Sequence, residues 1–142
     1  MPALRPLITL FLAASLHAHA ADDSLDSLYT ALGGSAGIHR IVADLVQSVQ
    51  VDARFRDSYD GTDFVRLAAK LEEQFCDVSG GPCKYSGKDM KTVHEDLKVN
   101  RAQFNALVED LQGAMAKNDV PSRTQNRLLA RLAPMHREVV TQ

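Results

Sequence analysis

The chain has no tryptophan, and only 6% of its 142 residues are aromatic. It holds two cysteines, Cys76 and Cys83. With so few reactive side chains, any demanding chemistry needs a cofactor. No run of lysines or arginines forms a stripe, and the formal net charge is -2. Nucleic acid and anionic membrane surfaces are therefore excluded as partners. No segment alternates apolar and polar residues for long enough to make a strand, which leaves an all-α chain. Internal repeats and linker-like stretches are also missing, so the chain reads as one domain.

The longest apolar run, residues 7–16, is about ten residues, where a membrane-spanning helix needs roughly 20. It follows Arg5 and precedes Ala18-His19-Ala20. Charge, apolar stretch and small residues in that order mark residues 1–20 as a secretory signal peptide, cleaved between Ala20 and Ala21. An uncleaved anchor is the poorer fit. The mature chain, residues 21–142, is then exported to an oxidising compartment, the periplasm, and carries no membrane segment. There the two cysteines, close in sequence, read first as a disulfide, with a thiolate metal site as the weaker rival.

What the chain does have is helical periodicity. Leu25, Leu28 and Leu32 mark a short turn over residues 24–32, stopped by Gly33-Gly34. Ser35 is the expected cap of a helix over residues 36–50, with Ile38, Ile41, Val42, Leu45, Val46 and Val49 as its apolar stripe. A polar connection over residues 52–62 contains Phe55 and Tyr59. Asp63 reads as the next cap, and Phe64, Leu67, Leu71 and Phe75 mark a buried face up to Cys76. Gly80-Gly81-Pro82 breaks the helix. A short helix over residues 89–97 bears His94, and longer ones follow at 102–117 and 122–140, the last kinked at Pro134.

Three histidines lie in the mature chain. His39 falls on the polar side of its helix and reads as a surface residue. His136 does too, though it lies near the end of the last helix. His94 stands four residues after Met90, beside Val93 and Leu97, on or next to an apolar face. By pattern alone it would be a core or helix-end histidine. The glycine-rich hinge before it, and the oily stripe of the facing helix, point instead to a residue set against a ligand.

Leu28-Tyr29-x-x-Leu32-Gly33-Gly34, Gly37-Ile38, Gly80-Gly81-Pro82-x-x-Tyr85-x-Gly87, Met90, Val93-His94 and Phe104 stand at the spacing of a known family. Over about residues 25–140 the chain resembles the group I truncated haemoglobins. The resemblance implies a two-over-two helical sandwich around one b-type haem, haem b, with His94 as the proximal iron ligand. Neither cysteine belongs to a Cys-x-x-Cys-His motif, so c-type attachment is excluded.

On the opposite side of the haem the chain departs from the family. Val46 and Leu71 stand where many members have a tyrosine and a glutamine, and Leu67 takes the other distal position. None of them can donate a hydrogen bond. Tyr59 replaces the usual distal phenylalanine. Lys70 occupies a position where some members supply an internal sixth ligand; the alternative is a lysine reaching to a haem propionate or to solvent. His136 corresponds to a histidine that some members bond to a haem vinyl group, although Met135 or Arg137 could hold that slot. Gln74 reads as an exposed glutamine, and Tyr85 as packing on the Pro82 loop.

The resemblance thus implies an exported globin that reversibly binds a small gas such as O2, CO or NO. Its pocket would be lined by Val46, Tyr59, Leu67, Lys70, Leu71, Phe75, Met90, Phe104, Val108 and Leu111. Some family members oxidise NO with the help of a reductase, but the missing distal donors speak against an enzyme here. Two alternatives remain: a six-coordinate sensing or redox haem protein through His94 and Lys70, and a helical interaction domain without haem, stapled by Cys76–Cys83.

Overall fold

The computed structural model describes residues 27–142 apart from Arg56; the expected leader, residues 1–20, lies outside the described residues. Every regular element among the described residues is helical. The first, α1 (Leu28–Ala31), is opened by the Ser27 side chain, which accepts from the Thr30 N–H. The second, α2, runs over Gly34–Val51. Ser35 does not cap it. The helix starts from Gly33, which has a φ of 87° and makes no side-chain cap bond, because the chain reverses within the glycine pair and is already helical at Ser35. All six residues of the expected stripe on α2, from Ile38 to Val49, are buried.

The third helix, α3 (Phe64–Val78), begins as expected at Asp63, whose side chain accepts from the Arg66 N–H. It continues two residues past Cys76 and closes in a Schellman motif. The Gly81 N–H donates to the Cys76 carbonyl (2.8 Å) and the Gly80 N–H to that of Asp77 (3.1 Å). Gly80 sits at φ 81°, a left-handed conformation that glycine adopts without a Cβ penalty. The break read from Gly80-Gly81-Pro82 therefore has a defined geometry.

Asp89 caps α4 (Met90–His94), which is shorter than the expected 89–97; a turn at Glu95–Leu97 and a positive φ at Lys98 follow it. Asn100 and Gln103 form a capping box at the start of α5 (Arg101–Lys117). The last stretch divides at Pro134, as expected. It forms α6 (Ser122–Leu132), a 3-10 turn (Ala133–Met135) and α7 (His136–Val139), since proline offers no N–H to an unbroken helix.

Helix α2 packs on α3 and on α5, and α6 packs on both α3 and α5, giving two pairs laid over one another. Ile38, Ile41, Val42, Leu45, Met115 and Leu128 are the largest fully buried side chains. Leu67 and Leu71, expected in a buried face, are only half-buried, because both front a cavity. Helix α7 packs on α4, and beyond it the N–H groups of Thr141 and Gln142 both donate to the Val99 carbonyl (2.9 and 3.2 Å).

Cys76 and Cys83 are bridged, with 5.7 Å between their Cα atoms, which settles the choice against a thiolate metal site. The bridge ties the segment before α4 to the end of α3. Closing so short a loop restricts the unfolded chain by about 2–3 kcal/mol.

Candidate functional site

Between the two helix pairs lies a cavity of about 910 Å³, near the upper end of the range for small-molecule and cofactor sites. All of the residues expected at the site line it: Val46, Tyr59, Leu67, Lys70, Leu71, Phe75, Met90, His94, Phe104, Val108 and Leu111. They come from α2, α3, α4, α5 and the connection after α2. Sequence periodicity had grouped them on separate helix faces; packing brings those faces to one space.

His94 is the only histidine on the cavity wall among the described residues. Its Nδ1 lies 2.7 Å from the Met90 carbonyl oxygen, one turn back along α4. A carbonyl can only accept, so Nδ1 carries a proton, and in the neutral ring Nε2 keeps its lone pair. A histidine fixed in this tautomer is a ready metal ligand. The described residues contain no cluster of three or more His, Cys, Asp or Glu that could hold a bare metal ion. One imidazole on an apolar wall suits instead a metal whose other ligands arrive with its cofactor.

On α2 and α3 the cavity is lined mainly by apolar side chains, with Arg66, Lys70 and Gln74 as the polar members. Val46, Leu67 and Leu71 contribute no donor, as the sequence implied. Tyr59 packs edge-on to Phe55 (centroids 5.6 Å) and tilted against Phe64 (6.0 Å). Burial raises its phenol pKa, and the nearby Asp110 charge adds to the effect. The mouth of the cavity is polar, with Thr62, Arg66, Ser86, Lys88 and Thr92 around it.

Lys70 lines the cavity, and its amine is held by neighbouring side chains. Its Nζ donates to both carboxylate oxygens of Glu73 (2.9 and 3.0 Å) and to Ser86 Oγ (2.7 Å). Glu73 in turn accepts from the Ser86 N–H (3.0 Å) and hydroxyl (2.8 Å). The Lys70 ammonium, followed by the two Ser86 donors, pulls the Glu73 carboxyl down to about 2.

Several expectations are corrected here. Gln74 is not exposed: only 8% of it is accessible, it lines the cavity, and its Nε2 approaches the sulfurs of Met90 (3.2 Å) and Met135 (3.5 Å). The signal was present in the spacing, since Gln74 follows Leu67 by seven residues and Leu71 by three, on one helical stripe. Tyr85 also lines the cavity, held by its N–H to Asp77 Oδ2 (3.0 Å) and its hydroxyl to the Lys88 carbonyl (2.8 Å). His136 is half-buried, edge-on to Phe104 at 4.7 Å, while Met135 beside it faces the cavity. His39 is a surface residue as expected, with Nδ1 2.8 Å from Glu72 Oε1.

A family model, that of the bacterial-like globins, matches residues 27–141. This chain is a bacterial-like globin. Among its relatives, the group 1 truncated hemoglobin GlbN of Mycolicibacterium paratuberculosis is 30% identical over 115 residues, covering 81% of this globin and 85% of that one. The GlbN of Nostoc commune is 26% identical, covering 78% and 94%. The fold matches the Fe(III) form of truncated hemoglobin from Tetrahymena pyriformis with a TM-score of 0.79 at 20% identity, over 82% of this globin and 100% of that chain. It matches the 2/2 hemoglobin of a Synechococcus species, described with covalently attached heme, with a TM-score of 0.77 at 21% identity, over the same shares. The globin is thus a truncated, two-over-two member of its family, and haem is its cofactor.

The cavity fits that group. Its volume, its mainly apolar walls and its polar mouth match a flat, apolar macrocycle with carboxylates at one edge. The one histidine on its wall among the described residues, bonded through Nδ1, matches an iron that needs one protein ligand.

Proposed function

We propose that this globin holds haem b through His94 and reversibly binds a small diatomic gas, O2, CO or NO. The observation that carries the reading is the His94 ring, protonated at Nδ1 by its bond to the Met90 carbonyl and so offering Nε2 to the cavity. A haem iron with a histidine on one side leaves its other side free for a gas. Arg66 and Lys88 at the mouth supply cations for the haem carboxylates. Met90, Phe104 and Val108 pack the ring, and Val46, Leu67 and Leu71 form the wall facing the gas. These three side chains offer the gas no hydrogen bond.

The test is an ultraviolet–visible spectrum of the ferric, ferrous and CO-treated protein after expression with haem supplied. One haem per chain and a band shifted by CO are expected; a chain that takes up no haem overturns the reading. Placing a donor on the bare wall should then change the gas preference. Leu71→Gln is expected to raise oxygen affinity about tenfold, the value of one added hydrogen bond of roughly 1.4 kcal/mol, with little change for CO. Oxygen and CO titrations of the variant read this directly.

The second reading, Lys70 as an internal sixth ligand, is disfavoured by the three bonds that hold its amine to Glu73 and Ser86. We further propose that residues 1–20 export the globin, a setting in which the Cys76–Cys83 bridge persists. Amino-terminal sequencing of the mature protein should begin at Ala21.

A further inference from the structure

Lys70 stands on the same stripe of α3 as Leu67 and Leu71, and its stem forms part of the cavity wall. A lysine there is long and flexible, and nothing in the apolar wall would hold its amine in one place. What holds it lies outside the wall. Glu73, one turn along α3, and Ser86, in the segment before α4, close a three-membered ring of hydrogen bonds with the amine. Ser86 makes this possible only because its segment is fastened to α3. The Cys76–Cys83 bridge fixes one part of it, the Tyr85 N–H bonded to Asp77 fixes another, and Glu73 takes the Ser86 N–H. The ring is thus assembled from two parts of the chain that the bridge keeps in register.

We propose that Glu73 and Ser86 are positioning residues that keep the Lys70 amine at the mouth of the cavity, so that breaking their hold turns Lys70 inward as a sixth iron ligand. The inference rests on the reading that His94 holds a haem. On binding iron the amine gives its proton to solvent, and the water or gas that would otherwise occupy the sixth position is excluded. The consequence is that coordination in this globin is governed by a carboxylate and a hydroxyl that touch neither haem nor gas.

The ferric spectrum reads the difference between an open and a lysine-filled sixth position. Wild type is expected to be high-spin. Glu73→Gln, which keeps the size of the side chain and removes its charge, should shift the spectrum to low-spin, with Ser86→Ala moving it in the same direction to a smaller extent. Lys70→Ala combined with Glu73→Gln should return it to high-spin, which a general loosening of the fold would not do. A wild type already low-spin through Lys70, or a Glu73→Gln spectrum identical to wild type, overturns the inference. A second measurement is independent of haem. In the haem-free protein, acetylation of Lys70 by an amine-reactive ester, followed by peptide mass spectrometry, should be several-fold faster in Glu73→Gln, with the other lysines unchanged as internal controls. Should wild type take up no haem, the haem reading alone fails; faster Lys70 acetylation then still supports the hold, and an unchanged rate overturns it.

Discussion

His94→Ala should yield a folded globin that no longer retains haem. The imidazole bonds the Met90 carbonyl of its own helix turn and lines the cavity, outside the buried core. Circular dichroism should therefore stay close to wild type. Haem affinity is another matter. Removing outer partners of a metal ligand commonly costs 10–100-fold, and removal of the ligand itself should cost on the order of 100-fold or more. The expected result is a Soret band lost on desalting and restored when free imidazole is added to fill the vacated space. A variant that retained haem with an unaltered spectrum would show that some other residue holds the iron.

The second large effect is on folding. Gly37 lies one turn into α2, where a Cβ would clash with the Leu32 carbonyl oxygen and lie 2.9 Å from its carbon. Both are backbone atoms at the junction of α1 and α2, and neither can swing aside as a side chain would. Gly37→Ala must therefore push α1 off α2, opening the contact of Leu28 and Leu32 with the core. Overpacking against yielding side chains typically costs 1–3 kcal/mol; against fixed backbone, about 3 kcal/mol or more is expected. In a domain of this size that lowers the melting temperature by about 10 °C or more. Thermal unfolding of the haem-free protein measures it without interference from the cofactor. An alanine variant melting within a degree or two of wild type would mean that α1 yields freely.

Much of this architecture is legible in the sequence because local chemistry dictates it. Asp63 reads as a cap and caps; the stripe from Ile38 to Val49 reads as buried and is buried; Gly80-Gly81-Pro82 reads as a break and forms a Schellman turn. The sequence points to Ser35 as the cap of α2 because serine is the better capping side chain, whereas the left-handed Gly33 sets the entry of the chain. The site was less legible wherever polarity and position disagreed. Gln74 carries a polar group at an apolar position, and residue type pointed to solvent while spacing pointed to the cavity; spacing prevailed. The hold on Lys70 could not be foreseen, since Ser86 lies 16 residues away and meets it only once the bridge has folded its segment back on α3.

The two N–H groups that converge on the Val99 carbonyl bear on how the protein is handled. Val99 opens the corner that leads from α4 into α5, five residues after His94, and its carbonyl holds Thr141 and Gln142 in place. A purification handle or fluorescent fusion joined directly to Gln142 would load this corner mechanically. A cleavable handle, or a spacer long enough to leave Thr141 and Gln142 seated, keeps spectroscopic readings of the native globin comparable between preparations.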